Sequence, residues 1–357
     1  MSVLEVESTN RDISAKIKTL GFFMTCAMVC YHCAGFDDVY AIGPLDASIN
    51  SLIEYFFYQM GFVVMSHFFT VTGYLLFKDF KITDYPAKIK RRIFSLLIPY
   101  ILWQCIIAVI DIMQKQYVFS LADFLRRTFC LEMWPLDGAL WYVYAIFLLA
   151  LASPILLFLF RNKYSGWLVT LMLIIALQGK SKITNPYVCA ILSHGYVGNI
   201  LYYLPCYLIG CYCGRFSEEN TKSEALTCIL SAVFTAFVFN GVFPGFFNQI
   251  TMGLMPLMGL YVLPVVPALQ NKKIYDLSFL IYAIHQPLIK DTSHIFRSGF
   301  FMEIPIPVSI RSVLVRVNVL VLDIGIAFLI HAVMKRFSPK LLGAITGGRF
   351  SRRDNCK

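Results

Sequence analysis

Ten stretches of this sequence are apolar over roughly the length needed to cross a lipid bilayer, and nothing else in it constrains the fold so tightly. A transmembrane helix needs about 20 mostly apolar residues to span the hydrocarbon. The runs lie near 17–36, 52–77, 94–113, 139–160, 164–178, 197–213, 224–243, 246–266, 274–290 and 312–334. The fifth and sixth are the shortest. All are too long and too continuously apolar to alternate as β-barrel strands. Charged residues make up 15% of the chain, against roughly a quarter in soluble domains. The deficit runs along the whole length, which excludes a soluble domain with a single anchor. The expected fold is all-α: a polytopic helical membrane protein of about ten transmembrane helices. One membrane domain over 17–335 is expected, between a polar tail at 1–16 and a basic tail at 336–357. The opening "MSVLEVESTNRDISAKIK" lacks a short apolar core and a small-residue cleavage site, so no cleaved signal peptide is expected.

The net charge of +10 could suggest a nucleic-acid partner, but its placement argues for topology instead. Cytoplasmic loops of membrane proteins collect Lys and Arg. With the N-terminus inside and ten alternating helices, the inside segments hold 22 basic residues and the outside segments 8, with Arg316 left in the last helix. The loop "CAGFDDVYAIGPLDASIN" carries three acids and no base, and falls outside. Both termini are therefore expected in the cytoplasm, and no nucleic-acid partner is expected. Most of the eleven cysteines lie in or at the ends of apolar runs, as small hydrophobes do, not in an extracellular disulfide framework.

Polar residues at membrane depth are costly and usually face a cavity. His32, in "MTCAMVCYHCAG", lies about 15 residues into the first helix, in its outer half at 1.5 Å per residue. His285, in "KIYDLSFLIYAIHQPLIK", lies about 11 residues into the ninth, also past the middle. Two histidines from distant helices thus share a depth, and one shared site is expected. Metal ligation needs donors on one face, whereas Cys30 and Cys33 are two before and one after His32 and point elsewhere. No metal site is expected. A hydrogen-bonded packing histidine and a general base near neutral pH both remain open for His32 on the residues alone. His67 in "MSHFFTVTGYLLF" reads as packing. Arg316 and Asp323 share a helix face and read as structural polar contacts, and Glu54 reads as facing water. Trp141 and Tyr142 read as members of an interfacial aromatic belt.

The loop before the third helix, "FKDFKITDYPAKIKRRIFSLLIPY", places Lys88, Lys90, Arg91 and Arg92 within five residues. The positive-inside bias explains their sign. A cluster this tight can also grip the phosphates of a nucleotide or of coenzyme A.

With these stretches together, the chain resembles the acyltransferase-3 family of integral membrane O-acyltransferases. The marks are "CYHCAG", "FFTVTGYLLF", "KIKRRIFSLLIPYILWQ", "LWYVYAIFLLALASPIL", "LSFLIYAIHQPLI" and "SPKLLGAITGGR", in that order over most of the length. The resemblance implies an enzyme that takes an acyl group, usually acetyl, from cytoplasmic acetyl-CoA. It passes the group across the membrane to a hydroxyl of an extracytoplasmic or lipid-linked glycan; the cysteine content and loop style point to a bacterial inner membrane. The resemblance implies catalytic roles for His32 and His285, and acyl-CoA binding at Lys88, Arg91 and Arg92. Thr72, Tyr74, Trp141 and Tyr282 would line the substrate pathway. The donor is a substrate, and no permanently bound cofactor is implied. Gly21 stands where the family often has an arginine, and Tyr144 and Ala145 stand for an Arg-Asp pair. The rival reading is a transporter or flippase of a glycan precursor, which would use the same polar pathway without chemistry.

Overall fold

A computed structural model of the chain describes residues 3–33, 35, 41–131, 134–178, 195–216, 244–261, 264–270, 272–296 and 306–348. Among them there are helices and turns and no strand, as the continuous apolar runs require. The first helix, α1, covers Val3–His32, and α2 covers Pro44–Phe77. Next come α3 (Tyr85–Arg92), one wide turn at Ile93–Leu97, and α4 (Ile98–Met113). A short surface helix, α5 (Leu121–Thr128), precedes α6 (Trp141–Leu151), α7 (Ser153–Leu159) and α8 (Lys163–Gln178). The remainder are α9 (Gly195–Arg215), α10 (Pro244–Tyr261), α11 (Ser278–Phe296), α12 (Val308–Phe337) and α13 (Pro339–Ile345).

Four of the described stretches are long and apolar enough to cross a membrane: Asp12–His32, Pro44–Phe77, Ile82–Met113 and Val308–Phe337. A fifth is added if Gly138–Leu151 and Ser153–Leu159, bent by 58°, form one span. The expected runs at 164–178, 197–213, 246–266 and 274–290 fall on the shorter or more polar helices α8, α9, α10 and α11. The expected span at 224–243 lies outside the described residues.

The centre of the bundle is α2, packed most extensively against α9. Three glycines bring the two backbones into contact. A Cβ on Gly210 would strike the Thr70 carbonyl, one on Gly214 the Tyr74 carbonyl, and one on Gly73 the Tyr207 carbonyl. Gly210 and Gly214 are four apart, so both lie on one face of α9, the small-residue pattern that lets membrane helices approach closely. The obstructing atoms are backbone and cannot rotate away. Gly210→Val is therefore expected to cost at least about 3 kcal/mol through overpacking and to leave little monodisperse protein on size exclusion. The same substitution at Gly325, where an added Cβ meets nothing within 4 Å, should behave as wild type.

A polar ladder joins α2 to α12. Asp46 accepts hydrogen bonds from the Val308 and Ser309 backbone N–H groups (2.8 and 3.0 Å) and from the Ser309 hydroxyl (2.6 Å). It thereby satisfies first-turn donors that a helix start cannot pair internally. One turn on, the Ser312 hydroxyl donates to Asn50 Oδ1 at 2.8 Å. One turn further, the Arg316 guanidinium meets the Glu54 carboxylate in a two-point pair at 2.9 and 2.6 Å. Glu54 thus does not simply face water: its two oxygens match the planar fork of a guanidinium that is 2% exposed. Asp323, seven residues from Arg316, makes no pair with it, and neither of its carboxylate oxygens has a hydrogen-bond partner among the described residues.

Candidate active site

Helix α1 ends at His32, and α11 carries His285 beside it. The two imidazole rings lie 5.2 Å apart, tilted by 44°. The matching depths read from the sequence thus correspond to one shared site. His285 is fully buried, and its Nδ1 lies 2.6 Å from the Tyr282 carbonyl oxygen one turn earlier. A carbonyl can only accept, so in the neutral ring Nδ1 carries the hydrogen. Nε2 then keeps a free lone pair, and it has no partner among the described residues. The backbone of α11 therefore holds His285 in the tautomer a general base needs.

Away from the imidazoles runs a column of phenols and hydroxyls. The Tyr282 ring sits 5.6 Å from His285 and 6.5 Å from Tyr142, and its hydroxyl donates to the Ala139 carbonyl. The Tyr142 hydroxyl donates to the Phe68 carbonyl at 2.9 Å. Its single proton is thereby used, so the Thr72 hydroxyl, 2.7 Å away, is the donor to the phenol oxygen. Beyond Tyr142, the half-buried Arg92 turns inward, within electrostatic reach of the Tyr207 and Tyr142 phenols. Gly61 of α2 lies against Tyr31, the neighbour of His32. From there to Thr72 is about 16 Å along the helix at 1.5 Å per residue. Arg92, Thr72, Tyr142 and Tyr282 thus follow one another towards the imidazole pair as neighbouring polar groups, with each phenol bonded to a backbone carbonyl.

Not every residue singled out from the sequence meets this line. Lys88 reaches back to the end of α2, where its ammonium donates to the Leu76 carbonyl at 3.0 Å and sits 4.3 Å from the Phe80 ring centroid. It works there as a helix C-terminal cap. Arg91 is exposed and bonds only weakly to the Ala87 carbonyl, at 3.4 Å. The Tyr74 hydroxyl pairs with that of Tyr261 at 3.2 Å, inside a separate apolar cluster with Ile13, Val71, Ile209 and Leu257. Trp141 joins an aromatic wall with Phe69, Tyr196 and Tyr203. Tyr142, read from the sequence as a belt residue, is instead a hub of the column. No signal in the sequence separated the two roles, because an interfacial aromatic and a pathway aromatic look alike there. His67 is buried, edge-on to Phe68. Among the described residues no group of three or more His, Cys, Asp or Glu side chains is placed to hold a metal ion.

A family model described as an acyltransferase domain matches residues 20–336, which takes in every residue of the column. The chain belongs to the acyltransferase-3 family. It is a membrane acyltransferase. No curated protein sequence and no solved structure matches the chain. Among acyltransferase-3 family residues named from the resemblance, His32, His285, Tyr282 and Thr72 lie on the line, with Arg92 at its far end.

Proposed function

We propose that this membrane acyltransferase moves an acetyl group from cytoplasmic acetyl-CoA to a hydroxyl of an extracytoplasmic, or lipid-linked, glycan. The observation that carries the reading is the polar column joining Arg92 to the His32–His285 pair. In this reading both termini are cytoplasmic, in a bacterial inner membrane, and the charged part of coenzyme A never leaves the cytosolic side. Its phosphates rest against Arg92, with exposed Arg91 beside it. The pantetheine arm, roughly 15–20 Å long by backbone-like reach, matches the distance from Thr72 to the level of His32. It carries the thioester past the Thr72, Tyr142 and Tyr282 hydroxyls.

At the imidazoles, a histidine nitrogen takes the proton of the acceptor hydroxyl as its oxygen attacks the thioester carbonyl carbon. The C–S bond breaks, the acyl group becomes an ester of the glycan, and the departing thiolate takes the proton from the imidazolium. Protons and charge balance without a further reactant. General base catalysis of this kind contributes about 10²–10⁴-fold.

The transporter reading draws support from the 58° break between α6 and α7, since interrupted helices mark transport pathways. Closed inverted vesicles separate the two. With acetyl-labelled acetyl-CoA added on the cytoplasmic side, label is expected in glycan inside the lumen. Arg92→Ala should raise the KM for acetyl-CoA about tenfold with little change in kcat, since a lost charged phosphate contact is worth about 1.5–3 kcal/mol. Luminal glycan that arrives unlabelled, at a rate indifferent to acetyl-CoA, would instead be transport.

A further inference from the structure

Beside the imidazole pair lies a second set of buried polar atoms that the transfer step does not use. Gln104 of α4 is 0% exposed, and Asp137, in the turn before α6, is 1% exposed. The Asp137 backbone N–H donates to Gln104 Oε1 at 3.2 Å. That bond orients the amide and leaves its Nε2–H₂ as the remaining donor. Asp137 Oδ1 accepts from the Ala139 N–H at 3.2 Å, which leaves Oδ2. Among the described residues neither Gln104 Nε2 nor Asp137 Oδ2 has a hydrogen-bond partner. Buried polar atoms are nearly always paired, and leaving one unpaired is costly.

Two contacts tie this pair of atoms to the site. The Tyr282 hydroxyl donates to the carbonyl of Ala139, two residues from Asp137. Gly138 lies so close to α11 that an added Cβ would sit 2.7 Å from Gln286 Oε1. Tyr282 and Gln286 flank His285 at one turn before and one residue after. The turn carrying Asp137 is therefore docked on the stretch of α11 that presents the free Nε2 of His285.

We infer that Asp137 and Gln104 form an acceptor subsite that holds a second hydroxyl of the glycan while its neighbour reacts at the imidazoles. A hydroxyl is both donor and acceptor, so one such group completes both atoms whether the carboxyl is ionised or not. It accepts from Gln104 Nε2 and either donates to or accepts from Asp137. The substrate class this selects is a polyol with hydroxyls on adjacent carbons, as in a pyranose ring, over a simple alcohol. This rests on the acyl-transfer reading for the identity of the reacting hydroxyl, but the binding itself does not.

Two measurements on detergent-purified full-length protein test it, with methyl glucopyranoside and cyclohexanol as probes. Without donor, the pyranoside is expected to raise the thermal midpoint of wild type, and cyclohexanol to leave it unchanged. With labelled acetyl-CoA, the pyranoside is expected to be the better acceptor by at least about tenfold in kcat/KM, the worth of one hydrogen bond at a charged or buried polar group. Asp137→Leu and Gln104→Met, which stay close to each side chain in size and remove its polar atoms, should lose the pyranoside stabilisation and most of that preference, through KM rather than kcat. If both variants keep the stabilisation and the preference, the two atoms hold only a water and the inference falls. Stabilisation lost in the variants, with no label transferred even by wild type, would keep the subsite and overturn the transfer step instead.

Discussion

His285→Gln is expected to lower acyl transfer by about 10²–10⁴-fold while leaving the protein folded. Glutamine is close to histidine in size and sets its amide near where Nε2 stands, giving up only the contact that His285 Nδ1 makes with the Tyr282 carbonyl at 2.6 Å. What it lacks is a basic nitrogen where Nε2 stands. A histidine that only packs would tolerate this exchange with a small change in stability and none in kcat. His285→Ala should lose at least as much activity, and some stability as well, because it empties a fully buried position. The informative comparison is therefore the glutamine variant: unchanged elution and melting with a collapsed kcat marks a base, and unchanged kcat marks a packing residue.

The second large effect is on stability and lies at the far end of α2. Glu54→Ala would leave the Arg316 guanidinium 2% exposed without its carboxylate. Breaking a fully buried pair costs about 3–5 kcal/mol. Glu54 itself is 34% exposed, so water takes up part of the loss and about 2–3 kcal/mol is expected here. Arg316 Nε also donates to the Cys30 carbonyl at 3.2 Å, two residues before His32, so a displaced guanidinium should disturb the imidazole pair too. A loss of transfer accompanying the lower unfolding midpoint follows from this. Removing both charges with Glu54→Leu and Arg316→Met should recover much of the stability, since well-packed apolar pairs often match buried ion pairs. It should not recover the bond to Cys30, so activity should lag behind stability in the double variant. Activity and stability recovering together would show that Arg316 has no positioning role.

How much of this could be read from the chain alone differs from residue to residue. The helical class followed directly from unbroken apolar runs, which no other fold accommodates in a bilayer. The meeting of His32 and His285 followed from helix rise and direction, because two residues at one depth have only lateral position left to settle. The Glu54–Arg316 pair was out of reach. Its members are 262 positions apart, and a glutamate at a helix end reads the same whether it faces water or a guanidinium. Tyr142 was hidden for a similar reason, since phenols gather at membrane interfaces for amphipathicity alone. The basic cluster was legible as a cluster but not as three different tasks. Arg92 turns inward, Arg91 faces out, and Lys88 caps α2 because the Leu76 carbonyl and the Phe80 ring stand within its reach. The glycine seam between α2 and α9 left its mark in Gly210 and Gly214, but which helix it faces depends on packing that periodicity does not encode.

The central claim is that the imidazole pair at the end of the polar column performs acyl transfer from acetyl-CoA. Its most direct test uses membranes carrying the full chain, acetyl-CoA labelled in the acetyl group, and extractable glycan as the counted product, for wild type and His32→Ala at matched amounts of folded protein. The account predicts label in wild-type glycan and at least a hundredfold less in the variant, the low end of what a general base contributes. Equal labelling in both would contradict it.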